Sequence, residues 1–85
     1  MKITKKKITP EYFELVSSGR KKFELRLADF DVKEGDTLIL QEYKDGKFTG
    51  RALEKKVGYI LKFDLDKFGQ RKQILEKGLY VIQFE

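Results

Sequence analysis

The clearest local signal in this chain is one stretch of helical period with both its ends marked. Thr9 is a good N-cap, Pro10 suits the first helical position, and Glu11 lies in the first turn, where the helix dipole favours an anion. Tyr12, Phe13, Leu15 and Val16 supply an apolar helical face, and Gly19 stands where the residue past a helix C-terminus is expected. The spacing predicts a helix of about ten residues.

Nearly everything else that carries a pattern alternates. Ile3 and Ile8 bracket a lysine run that reads as a short exposed strand. In Lys22–Leu27, Phe23, Leu25 and Leu27 share one face, and Lys22, Glu24 and Arg26 share the other, which predicts an apolar-in, polar-out strand. Gly35-Asp36 is a turn, and Leu38 and Leu40 alternate into Glu42 and Tyr43. Lys44-Asp45-Gly46-Lys47 reads as a hairpin turn, with Asp-Gly supplying positive φ. The return strand runs from Phe48 to about Phe63, with Leu53, Val57, Tyr59, Leu61 and Phe63 expected on one face. Gly50 and Gly58 mark a bulge, a bend or a close backbone approach. Residues 64–78 are polar and mixed, with a helical turn expected over Gln73 to Lys77, and Leu79–Phe84 closes the chain as a strand. The order is β, α, β, β, β, a loop, then β. It predicts the α+β class: a small mixed β-barrel or strongly curved sheet of about five largely antiparallel strands, with the helix at one end.

At 85 residues the chain reads as one domain, 1–85, that buries roughly 60–65% of its unfolded surface. There is no cysteine, histidine or tryptophan. A disulfide scaffold, zinc sites of finger or deaminase type, and nucleophile–histidine pairs are therefore excluded. The basic start has no apolar run behind it, and no stretch reaches the ~20 apolar residues of a membrane span. The expectation is a monomeric cytoplasmic protein without membrane contact and without a cofactor.

The formal charge is +5, and its placement is uneven. Residues 1–26 hold eight basic side chains (Lys2, Lys5, Lys6, Lys7, Arg20, Lys21, Lys22, Arg26) against three acids (Glu11, Glu14, Glu24), so the rest of the chain is balanced. A basic end on a neutral body attracts polyanions, and Lys5, Lys6, Lys7 and Arg20 are read as an electrostatic approach surface. RNA or a nucleotide is the expected partner, with a protein partner as the other possibility.

The string Gly19-Arg20-Lys21-Lys22-Phe23-Glu24-Leu25-Arg26 fits G-x-K-x-x-E-x-R. It resembles the signature of ASCH domains, relatives of the PUA RNA-binding fold. Asp29 and Asp31, Gly35-Asp36, Glu42-Tyr43, Phe48-Thr49-Gly50-Arg51, Val57, Tyr59-Ile60-Leu61 and Gly78-Leu79-Tyr80-Val81 follow in matching order. That order is similar to a small uncharacterised subfamily of bacteria and phages, domain of unknown function 3850, and the likeness covers nearly the whole chain. It implies a PUA-like barrel with a motif-lined cleft beside the first helix, and RNA-related work. Two departures stand out. Members tend to carry a histidine near the N-terminus, where this chain has Thr4 or Lys5, and a basic residue often separates the two aspartates, where this chain has Phe30.

The motif residues suit a nucleotide. Arg26 offers a planar fork to phosphate or a base edge, Lys21 and Lys22 offer point charges, and Glu24 accepts from an exocyclic amine or a ribose hydroxyl. Tyr43 is the best-placed tyrosine for stacking, Tyr59 follows the apolar period into the core, and Arg51 places a cation at the cleft rim. The competing reading of Glu24 and Arg26 is a solvated ion pair. As an enzyme, the chain would have to use Lys21 and Glu24. Some ASCH proteins resemble amidohydrolases with a threonine nucleophile three residues after the motif lysine, and here that position is Glu24, so no catalytic residue is assigned. Asp29, Asp31 and Asp36 are read as turn formers rather than a metal site.

Overall fold

The computed structural model describes residues 1–63 and 77–85. The elements are β1 (Ile3–Ile8), α1 (Pro10–Ser17), β2 (Phe23–Leu27), β3 (Thr37–Lys44), β4 (Lys47–Phe63) and β5 (Leu79–Phe84). The helical turn expected over Gln73 to Lys77 lies outside the described residues. The class is α+β, with one mixed five-stranded sheet in the order β1-β3-β4-β5-β2. β1 runs parallel to β3, and the other neighbouring pairs are antiparallel.

The barrel expected from the sequence is not formed. β1 and β2 are the two outer strands, and no ladder joins them. The parallel β1–β3 pair follows from the connection. β1 leads into α1 rather than into a hairpin, so the chain returns to it only after a crossover.

Pro10 opens the helix as expected, and Thr9 occupies the N-cap through its backbone, with no side-chain capping bond. Phe13 and Val16 enter the core with Ile8, Leu38, Leu40, Val57, Ile82 and Phe84. The hairpin turn also forms as expected, with Asp45 and Gly46 both at positive φ.

Both expected glycine irregularities occur. Between the pairs Gln41↔Ala52 and Tyr43↔Phe48 the register shifts, so Thr49, Gly50 and Arg51 all stand opposite Glu42. Gly50 takes φ +96, a conformation L side chains rarely adopt. The second shift lies between Val57↔Phe84 and Ile60↔Ile82, one residue longer on β4. There a Cβ on Gly58 would come within 3.0 Å of the Gln83 carbonyl oxygen.

The second bulge overturns one expected face. Val57 is buried, but the inserted residue moves the inward phase to Ile60, opposite Ile82, so Tyr59 and Leu61 are exposed. Tyr59 is therefore not a core residue. The facing of β2 is reversed as well. Glu24 is buried at 3% exposure, while Phe23 and Leu25 stand about half exposed. Cross-strand partners share a face, and Glu24 pairs with the fully buried Ile82. Alternation separates two sets of residues without saying which one turns inward.

Candidate functional site

The open side between the outer strands is a cleft of about 750 Å³. The end of β1 contributes Lys7 and Ile8, followed by Thr9; α1 contributes Tyr12 and Leu15; the connection contributes Arg20 and Lys21; and β2 contributes Phe23 to Arg26.

The helix end sets Lys21. The Gly19 N–H donates to the Val16 carbonyl and the Lys21 N–H to the Leu15 carbonyl, so the chain folds back over the last turn before entering β2. Lys21 Nζ then donates to Glu24 Oε1 at 2.9 Å. It also lies 5.2 Å from the Tyr12 ring centroid and 5.0 Å from that of Phe23. From the same strand face as Glu24, Arg26 donates through Nε to Glu24 Oε2 at 2.7 Å and through Nη2 to the Lys7 carbonyl. That last bond spans the open side, tying edge strand β2 to edge strand β1. Two cations thus share one buried carboxylate.

A second buried carboxylate is Glu42. The bulge aims two donors at it: Thr49 Oγ1 at 2.6 Å, and Arg51 through Nε at 3.0 Å and Nη2 at 2.7 Å. The Arg51 guanidinium also donates to Glu14 on α1 and lies 4.3 Å from the Phe13 ring centroid. The Arg51 guanidinium, then the Thr49 hydroxyl, hold the Glu42 carboxyl down to about 2. Glu42 and Glu14 in turn raise Arg51 above its ordinary value. Asp36 is the third buried acid. Its carboxyl is lowered by the backbone N–H groups of Lys2 and Lys33, which donate to it at 3.1 and 2.9 Å and anchor the start of β1.

Of the sequence-derived site residues, Lys21, Glu24 and Arg26 come together in the cleft, with Lys7 and Arg20 on its wall. Lys22 is exposed and lies instead in a second depression beside Tyr59, Leu61 and Val81. Arg51 is not part of the cleft lining; its partners are Glu42 and Glu14. Tyr43 packs edge-to-face on Phe48, with Lys7 Nζ 4.2 Å from its ring centroid. Lys6 turns inward, over the Phe30 ring and 4.0 Å from Asp29, so it is only half exposed, whereas Lys5 is exposed. Among the described residues, no three acidic side chains converge as metal ligands, and no helix is long and apolar enough to cross a membrane. Sequence reasoning missed Phe23 as an aromatic wall beside Lys21, and ranked Tyr12 behind Tyr43 among the tyrosines open to stacking. The signal for Phe23 was its phase opposite Glu24, which is usable once the inward face is known.

These features define a small α+β domain with a basic cleft between the two outer strands of an open sheet. The chain belongs to the family described as Domain of unknown function (DUF3850), which it matches over residues 3–75. It is 45% identical over 56 residues to the uncharacterized 12.9 kDa protein in the GpA 3′ region of Escherichia phage P2. That match covers 66% of this chain and 51% of the phage protein, so the chain spans about half the length of this curated relative. Among solved structures, the crystal structure of hypothetical protein PH0355 is similar, with a TM-score of 0.70 and 25% identity, covering 100% of this chain and 98% of that one.

Proposed function

We propose that this chain is a nucleic-acid-binding module of the ASCH and PUA-like kind, holding a nucleotide of RNA in the cleft between β1, α1 and β2. The observation that carries the reading is the convergence of Lys21, Glu24 and Arg26 with cation in excess. Lys21 has three N–H donors and Arg26 five. The hydrogen bonds described take one of the first and two of the second. The remaining donors serve a phosphate or a base edge, and the buried carboxylate keeps both cations in place before the ligand arrives. Arg20 adds to the positive wall, and Tyr12, Leu15 and Phe23 offer ring and aliphatic surface to the nucleoside. The match to the G-x-K-x-x-E-x-R pattern supports ASCH kinship, since the three charged residues it names, Lys21, Glu24 and Arg26, meet in the cleft.

The test is a backbone-amide NMR titration with short single-stranded RNA at two salt concentrations. Saturable shifts at Gly19 to Arg26 that survive the higher salt, and that vanish in Arg26→Ala, are expected. Shifts confined to Lys2 to Lys7 and erased by salt would reject the pocket and leave charge attraction alone.

A further inference from the structure

The cleft wall and a neighbouring aromatic pair share one residue. The Lys7 carbonyl accepts the Arg26 guanidinium inside the cleft. The Lys7 ammonium lies 4.2 Å from the Tyr43 ring centroid and 5.9 Å from that of Phe48. Tyr43 and Phe48 face each other across the β3–β4 hairpin at 5.0 Å, and Phe48 keeps 54% of its surface exposed. An apolar ring that open normally needs no explanation. This one carries a cation beside it, is held edge-to-face by its neighbour, and sits near the exposed Lys44 and Lys47 of the same hairpin, with Asp45 the acid between them.

We infer that the site takes a single strand of at least two nucleotides, one in the cleft at Lys21 and Arg26, the next stacked on Phe48, with Lys7 at the phosphate between them. The inference rests on the nucleotide reading of the cleft and adds its substrate class. Stacking on an aromatic face requires an unpaired base, which excludes a duplex at this position. A ring flanked by lysines suits a polyanion, and a ring face tolerates any base, so the second position contributes affinity rather than sequence choice. The cleft contacts fix one nucleotide, and the hairpin reads only that the strand continues.

The experiment compares a mononucleotide, a dinucleotide and a tetranucleotide of one sequence, in RNA and DNA form, on the wild-type chain and on Phe48→Ala. Binding is followed at the Gly19 to Arg26 amides. The exposed position of Phe48 lets the variant keep its fold, and its unperturbed amide spectrum elsewhere checks this. The dinucleotide is expected to bind about tenfold tighter than the mononucleotide, the gain a single stacked base supplies. Phe48→Ala should abolish that gain and leave mononucleotide affinity unchanged. Equal affinity for the mono- and dinucleotide, or a dinucleotide gain that persists in Phe48→Ala, overturns the second position while the cleft stands. If none of the probes shifts Gly19 to Arg26 saturably, the cleft reading itself fails. The RNA and DNA arms tell whether the 2′-hydroxyl contributes; the inference holds with either sugar.

Discussion

Glu24 and Glu42 are the same side chain at nearly the same burial, and their charged surroundings differ. Each is almost fully buried, each lies on a strand, and each accepts from an arginine and one further donor. They differ in charge balance. At Glu42 one guanidinium answers two carboxylates, Glu42 and Glu14, and lies over Phe13, so the cluster ties the β3–β4 ladder to α1. At Glu24 two cations answer one carboxylate, and a cleft of about 750 Å³ lies against them. A buried ion pair is therefore not by itself a site. Surplus charge of one sign facing open volume is what distinguishes the Glu24 cluster.

The sharpest way to break this comparison is to delete each arginine in turn. Arg26→Ala should weaken RNA binding by at least about thirtyfold, the range for truncating a hydrogen-bonded charged contact. Arg51→Ala should leave the dissociation constant within about twofold and lower the thermal unfolding midpoint. Parallel titration and melting of both variants checks the crossing. If Arg51→Ala loses binding as strongly as Arg26→Ala, the two clusters are not functionally distinct.

Acid sharpens the same contrast through stability. The Arg51 guanidinium and the Thr49 hydroxyl hold the Glu42 carboxyl at about 2 in the folded chain, against an ordinary value of 4.5. The unfolded chain therefore takes up the proton first as pH falls, and the folded state loses this stabilisation progressively from about pH 4.5 to about pH 2. Above that window the contribution is complete. In Glu42→Gln this loss is absent, so the variant should melt lower than wild type at pH 7 and show a shallower fall in melting temperature between pH 5 and pH 3. Asp36 shares the lowered direction, so a residual slope is expected in the variant. An unchanged slope in Glu42→Gln would show that Arg51 and Thr49 do not hold the carboxylate as described.

How far the two clusters could be read in the sequence follows from the same geometry. Local signals were legible: Pro10 at the helix start, Gly19 past its end, Asp45-Gly46 at the hairpin, the return strand from Phe48 to about Phe63, which the structure begins one residue earlier at Lys47, and the last strand from Leu79 to Phe84. The G-x-K-x-x-E-x-R string also singled out the three residues that meet in the cleft. Non-local facts were not legible. Nothing in Phe23 to Leu27 says that Glu24 faces inward, because the phase of an edge strand is set by its partner, here Ile82. Nothing near Arg51 says that it belongs to Glu42 rather than to the cleft, because the bulge at Gly50 decides where its side chain goes. The open sheet likewise depends on β1 pairing parallel with β3, a contact made across thirty-odd residues of sequence.

The smallest effect tests the part of the comparison that concerns charge without geometry. Lys5 is exposed and alternates with the inward Thr4 and Lys6 on β1. It is absent from the cleft wall, so it adds field but no directed donor to the site. Neutralising one phosphate-facing lysine should lower the slope of log affinity against log salt by at most about one, and should weaken all sequences alike. Lys5→Ala is therefore expected to reduce RNA affinity two- to threefold at low salt and to match wild type at high salt, with the Gly19 to Arg26 shifts unchanged in pattern. Lys6 is a poorer probe, since its removal also unstacks Phe30 and frees Asp29. If Lys5→Ala cost as much as Arg26→Ala and changed which sequences bind, the count of positive charges would matter more than their placement around Glu24. The contrast between the two buried carboxylates would then carry no functional meaning.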